Sequence, residues 1–222
     1  TSPRCIFAAA AVAAALGCAW AARAHDHTDD FDELDIERDF SLVTCGSSLK
    51  LKHAQSGYRL HSHKVTYGGS GSGQQSVTAV EAKDDPNSLW MLHGTPRSPC
   101  SAGQPIKDQQ VVRLRHANTR KNLHSHLHKS PLSQNQEVSG FDEKGPRGDS
   151  GDDWRVLTGN GGPWKRGAAV RLQHVDTGAY LESNKAYRFG NPIPGQLEVY
   201  ASARQTPLGQ WRSDEGIYIE AH

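Results

Sequence analysis

Apolar and polar residues alternate along short stretches of this chain, and the alternation returns at regular intervals. Leu49 and Leu51 alternate with lysines in "LKLKH", and Val112 and Leu114 alternate with arginines in "VRLRH". A period of two residues is typical of a strand with one buried face. Residues that favour turns, as in "AQSG" and "VDTG", follow these stretches. The pattern therefore predicts short strands joined by turns.

The alternating stretches belong to a repeat that occurs three times. The copies are "LKLKHAQSGYRLHSH" (49–63), "VRLRHANTRKNLHSH" (112–126) and "VRLQHVDTGAYLESN" (170–184). In each copy a strand ends on a histidine, a turn follows, and a leucine lies seven residues after the histidine. Fixed internal spacing of this kind indicates a repeat architecture.

Further landmarks keep the same order in every copy. They are the leucine of a second strand, the valine of a third and the tryptophan of a fourth: Leu60, Leu123 and Leu181; Val77, Val138 and Val199; Trp90, Trp154 and Trp211. A single four-stranded unit cannot bury its apolar face, whereas three units can close a barrel and cap it with hairpins. We therefore predict an all-β fold, a β-trefoil of three internal repeats with pseudo-threefold symmetry.

We predict one domain over residues 42–222, with repeats at about 42–94, 105–159 and 165–216. The tryptophans and leucines above are predicted to form its core, with stacking of the indole rings on carbohydrate as the alternative.

The residues before this domain predict targeting rather than folded structure. "RCIFAAAAVAAALGCAW" places an apolar run after a basic residue, and "ARA" at 22–24 fits a cleavage site. A membrane anchor is the alternative, but it needs about 20 apolar residues, more than this run offers. We predict a cleaved signal peptide at 1–24 and a flexible acidic leader at 25–41.

Cleavage would leave two cysteines, Cys45 and Cys100. In a secretory compartment they most simply pair as a disulfide, with two free buried thiols as the alternative. A thiol-redox role is not predicted because there is no C-x-x-C sequence.

The chain has 12 histidines, many of them within the repeat. His53, His116 and His174 end the first strand of each copy, and we predict a structural role in which one ring nitrogen bonds a turn carbonyl. Other side chains are predicted to face solvent and contact a partner: His61, His63, His124 and His126 on the second strands, and Trp164 outside the repeat pattern. Metal ligation is the alternative, but zinc needs three or four converging ligands, so no metal site is predicted.

Charge and motifs narrow the class of function. A formal net charge of +1 gives no argument for nucleic acid or an anionic membrane as partner. The chain lacks G-x-S-x-G, H-E-x-x-H, a P-loop and a Rossmann fingerprint. We therefore predict a binding module with no catalytic residues and no cofactor, and no membrane span after signal cleavage.

Several segments resemble the stromal cell-derived factor 2 family: "LVTCGSSLKL", "RLHSH", "YGGSGSGQQSVTAVEAKDDPNSLW", "KNLHSH" and "PLSQNQEVSGF". The resemblance covers residues 42–219 and implies MIR repeats in a β-trefoil. It also implies a non-catalytic protein of the endoplasmic reticulum lumen that associates with a J-domain co-chaperone and an Hsp70-class chaperone. Such proteins keep unfolded clients soluble and are linked to the unfolded-protein response. A glycan-binding module tied to O-mannosylation, with an O-mannosyltransferase or glycans as partner, is the alternative.

Members of this family usually end in an HDEL-type retrieval sequence, whereas this chain stops at "IEAH". We expect the end to be clipped, with His222 opening the missing signal. If His222 is the terminus, retention by a partner or secretion is expected instead.

Overall fold

The fold was obtained as a computed structural model and is described for residues 40–142 and 148–222. The predicted signal peptide (1–24) and nearly all of the predicted leader (25–41) lie outside these residues. In the described part of the chain, twelve antiparallel strands form one sheet. They are β1 (Ser48–His53), β2 (Arg59–Thr66), β3 (Gln75–Val80), β4 (Trp90–Gly94), β5 (Val111–His116), β6 (Asn122–Lys129), β7 (Gln136–Phe141), β8 (Trp154–Leu157), β9 (Ala169–His174), β10 (Tyr180–Arg188), β11 (Leu197–Ser202) and β12 (Trp211–Ile217).

The strand pairing follows the sequence repeat. The first and fourth strands of the copies close a ring in the order β1, β4, β5, β8, β9, β12 and back to β1. The second and third strands form the hairpins β2–β3, β6–β7 and β10–β11, and the three third strands pair with one another. The prediction of an all-β trefoil with pseudo-threefold symmetry is confirmed. A short 3-10 helix precedes the last strand of each copy, at Pro86–Ser88, Ser150–Asp152 and Pro207–Gly209.

The repeated tryptophans and leucines lie at the centre of the molecule. Trp90, Trp154 and Trp211 have no exposed surface, and neither do Leu60, Leu123 and Leu181. Each indole Nε1 donates to the carbonyl of the leucine in its own copy, at 3.0 Å for Leu60, 2.8 Å for Leu123 and 2.9 Å for Leu181. The core therefore joins the barrel to the hairpins within every repeat.

A disulfide joins Cys45, just before β1, to Cys100, between β4 and β5. The loop that it closes contains all four strands of the first repeat. In the part of the chain that the structure describes, no helix has the length and apolar character to cross a bilayer.

The prediction that Trp164 is an exposed contact is wrong. Its side chain is fully buried and belongs to the hydrophobic core. The Trp164 amide donates to the Ile106 carbonyl at 2.8 Å, and its carbonyl accepts from the Val43 amide at the same distance. These bonds draw the loop between β8 and β9 against the segments that precede β1 and β5, which places the ring inside.

Candidate functional site

The histidines that end the first strands connect neighbouring repeats. Each ring nitrogen Nε2 contacts a carbonyl of the 3-10 helix before the preceding tryptophan strand: His53 to Leu208 at 2.7 Å, His116 to Asn87 at 2.8 Å and His174 to Gly151 at 3.0 Å. Because a carbonyl only accepts, Nε2 carries the proton. Each ring also lies about 5 Å from the tryptophan of that repeat. Burial lowers the pKa of all three side chains. These three histidines therefore link each repeat to its neighbour.

The prediction that His61 and His124 face solvent is wrong. Their exposed fractions are 4% and 5%. His61 Nδ1 lies 2.5 Å from Asp85 Oδ2, and His124 Nδ1 lies 3.0 Å from Asp152 Oδ1. Both carboxylates come from the 3-10 helix segment of the same repeat, which covers the second strand.

The third repeat has a glutamate in place of this inward histidine. Glu182 occupies the position of His61 and His124, and it is 2% exposed. The Thr206 hydroxyl donates to Glu182 Oε1 at 2.7 Å. Burial raises the pKa of Glu182. The inward position on the second strand is therefore structural in all three copies.

Burial sets the charge state of His61. It lowers the pKa of this imidazole to about 4, in spite of the nearby Asp85 carboxylate. Burial alone would raise the pKa of Asp85, but the Asn87 amide and His61 hold it below its usual value. At neutral pH the pair is thus a neutral imidazole beside a carboxylate.

We expect acid to destabilise the fold through His61. The unfolded chain protonates this side chain near pH 6.5 and the folded chain near pH 4, so the unfolded state binds more protons in between. The contribution is complete above about pH 6.5 and is lost as pH falls toward 4, at a cost of about 3 kcal/mol. Urea unfolding of the wild type and His61→Gln between pH 7.5 and 4 would show the stability gap narrowing by that amount. Parallel pH profiles would contradict it.

His63 and His126 lie further along the same strands and are half-buried. His63 Nδ1 lies 2.6 Å from His61 Nε2. His126 Nε2 lies 3.0 Å from Glu137 Oε1, a carboxylate with no exposed surface that also accepts from the Ser72 amide. Burial would raise the pKa of Glu137, but His126 and Ser72 hold it below its usual value. Of the predicted partner-binding residues, these two are partly exposed.

A cleft lies where the second and third repeats meet, and we call it the junction cleft. It has a volume of about 500 Å³ and is lined by residues 124–127 of β6, residues 149–151, and His174, Asp176 and Thr177. His124 and His126 both line it, whereas His61 and His63 do not. Leu127 also lines it and is 85% exposed.

Comparison with known proteins decides the family. The MIR domain family matches residues 65–158. The stromal cell-derived factor 2-like protein of Dictyostelium discoideum is 48% identical over 180 residues, covering 80% of this chain and 84% of the relative. Human stromal cell-derived factor 2 is 49% identical over 179 residues, with coverage of 81% and 83%. This chain belongs to the stromal cell-derived factor 2 family.

Solved structures agree with that assignment. The crystal structure of the family's Arabidopsis thaliana member, described as SDF2-like, matches with a TM-score of 0.77 and 42% identity over 81% of this chain and 98% of that one. A chain of the S. cerevisiae protein O-mannosyltransferase complex bound to the sugar donor matches with a TM-score of 0.70 and 29% identity. That match covers 85% of this chain and 29% of the other.

One group of side chains in this family member has the composition of a metal site. The ligand atoms of His124, Asp149 and Asp152 lie within 4.8 Å of one another. Asp149 Oδ1 accepts from the Gly151 amide, and Asp152 Oδ2 accepts from the Asn122 amide group. Because these atoms already have donors within the chain, we assign the group to capping of the Ser150–Asp152 helix.

Proposed function

We propose that this protein is a non-catalytic binding module of endoplasmic reticulum quality control. It associates in the lumen with a J-domain co-chaperone and an Hsp70-class chaperone and keeps unfolded clients soluble. The observation that carries the proposal is membership of the stromal cell-derived factor 2 family over about four-fifths of the chain. The contacts of His53, His61 and His124 with groups of the chain itself support it, since they give these side chains a structural role.

The partner surface is proposed to include the outer histidines of the first two repeats. His63 and His126 occupy equivalent positions on β2 and β6, each anchored by a neighbour on its inner side. The third repeat has Asn184 at this position. A planar, pre-positioned ring loses little side-chain entropy on binding, which favours such residues at interfaces.

We expect a His63→Ala/His126→Ala variant to bind the chaperone partners about 5- to 10-fold more weakly, a loss of about 1 kcal/mol for the two rings together. Titration of the purified protein against a luminal J-domain protein and Hsp70 measures the change. His128→Ala, an exposed position on the same strand as His126, is the matched control. Unchanged affinity in the double variant would refute the histidine surface.

The proposed function has its own test. Crosslinking of the full chain in intact microsomes, followed by mass spectrometry, is expected to recover a J-domain protein and an Hsp70-class chaperone. Recovery of neither would refute the association.

Glycan binding is the second candidate. The likeness to a chain of the protein O-mannosyltransferase complex favours it. A glycan array that includes O-mannosyl structures tests it, and the absence of binding above background would remove this candidate.

A further inference from the structure

The three repeats differ at the residue that follows the His-Ser-His position. Leu127 stands where the first and third repeats carry Lys64 and Lys185. All three side chains are exposed, and Leu127 is 85% exposed. A leucine with this exposure buries little apolar surface, and its two symmetry counterparts are exposed lysines.

The second repeat also has a smaller helix segment beside this leucine. Ser150 and Gly151 replace the Pro-Asn and Pro-Leu pairs at 86–87 and 207–208. A Cβ at Gly151 would collide with the His124 ring. The glycine thus lets the helix approach β6 closely, and these two small residues form one wall of the junction cleft.

Apart from the histidines, the ionisable side chains among the described residues that line the junction cleft are acidic. Asp149 and Asp176 line the junction cleft, and none of the described residues that line it is a lysine or arginine. Asp176 is exposed and replaces Gln55 and Asn118 of the other repeats. A ligand with a cationic side chain therefore complements the cleft.

Leu127 also borders a second hollow of about 260 Å³, on the side of Lys129, Ala201, Ala203 and residues 134–136. The two concavities share this leucine as a ridge. Such a surface extends beyond the size of one compact ligand, and it suits a chain that crosses the ridge. Among the described residues, the aromatic rings that line the two hollows are histidines, which offer no indole or phenol face for a sugar to stack on.

We propose that the junction cleft binds an extended peptide segment in which a lysine or arginine lies next to an apolar residue. The cation meets the exposed carboxylate of Asp176, and the apolar side chain packs on Leu127. This inference rests on the proposed function, since such a segment is what an unfolded client exposes.

Fluorescence anisotropy with labelled ten-residue peptides tests the proposal on the full chain. One peptide alternates lysine with leucine, a second has glutamate for lysine, and a third has serine for leucine. We expect the first to bind and the other two to bind at least 10-fold more weakly. Leu127→Lys should weaken the first peptide about 10-fold or more, because it removes the apolar contact and adds a like charge. Asp176→Asn should reduce both affinity and salt dependence.

Lys64→Ala is the matched control, because Lys64 occupies the position of Leu127 in the first repeat. It should change the affinity for the first peptide less than 2-fold. Equal binding by the wild type and Leu127→Lys overturns the proposal. So does a glycan that binds at Leu127 while no peptide does. Capture of the J-domain protein and Hsp70 by the Leu127→Lys variant distinguishes failure of this inference from failure of the proposed function. If capture persists and peptide binding ignores Leu127, this inference fails alone. If capture is absent from the wild type but peptide binding needs Leu127, the proposed function fails alone.

Discussion

Replacement of Trp154 by alanine is expected to lower the free energy of unfolding by about 4–5 kcal/mol. The ring has no exposed surface, and its Nε1 donates to the Leu123 carbonyl at 2.8 Å. Its removal leaves a cavity, an unpaired buried carbonyl and a His174 ring without its neighbour at 5.1 Å. Urea unfolding followed by circular dichroism measures the loss.

The repeats supply the controls for this prediction. Trp90→Ala and Trp211→Ala should cost the same within about 1 kcal/mol, because their hydrogen bonds and histidine contacts are equivalent. Phenylalanine at 154 leaves the Leu123 carbonyl unpaired, a loss of about 1–3 kcal/mol beyond the change in volume. Phenylalanine at 164 should cost less, since the Trp164 Nε1 has no acceptor among the described residues. A loss below about 2 kcal/mol for Trp154→Ala, or unequal losses at the three sites, would contradict the prediction.

The sequence predicts the trefoil because the residues that recur at the repeat spacing are also the residues that form the core. A leucine on the second strand and a tryptophan on the fourth recur in order, and the structure joins them directly, as Trp90 to Leu60 shows. His53, which ends the first strand of its repeat, behaves as predicted, because one ring nitrogen bonds a backbone carbonyl. The sequence alone does not predict that the carbonyl belongs to another repeat, because that contact forms only when the barrel closes.

The errors in the candidate site have a common physical cause. Alternation shows that His61 and His63 share a face of β2, but not that the Pro86–Ser88 helix covers one of them. The position of Trp164 outside the repeat says nothing about burial, which depends on bonds to Val43 and Ile106. Contacts between distant segments decide both cases.

Leu127 is a site residue that the sequence analysis missed although the sequence contains the signal. Aligning the repeats places it against Lys64 and Lys185, and an apolar residue among exposed lysines marks a departure from symmetry. In a symmetric fold the shared positions maintain the structure. The positions at which one copy departs are where a single binding site can arise.

The double variant Cys45→Ala/Cys100→Ala is expected to lose about 4 kcal/mol of stability, as estimated from the entropy of closing the loop in the unfolded chain. The two cysteines are 55 residues apart in sequence, and the disulfide encloses all four strands of the first repeat. Cys45 is 3% exposed, so alanine at this site also removes a small buried side chain. Guanidinium unfolding with and without a reducing agent measures the effect. The reductant should destabilise the wild type toward the level of the variant and leave the variant unchanged. Equal stability of the oxidised wild type and the variant would show that the disulfide does not stabilise this trefoil.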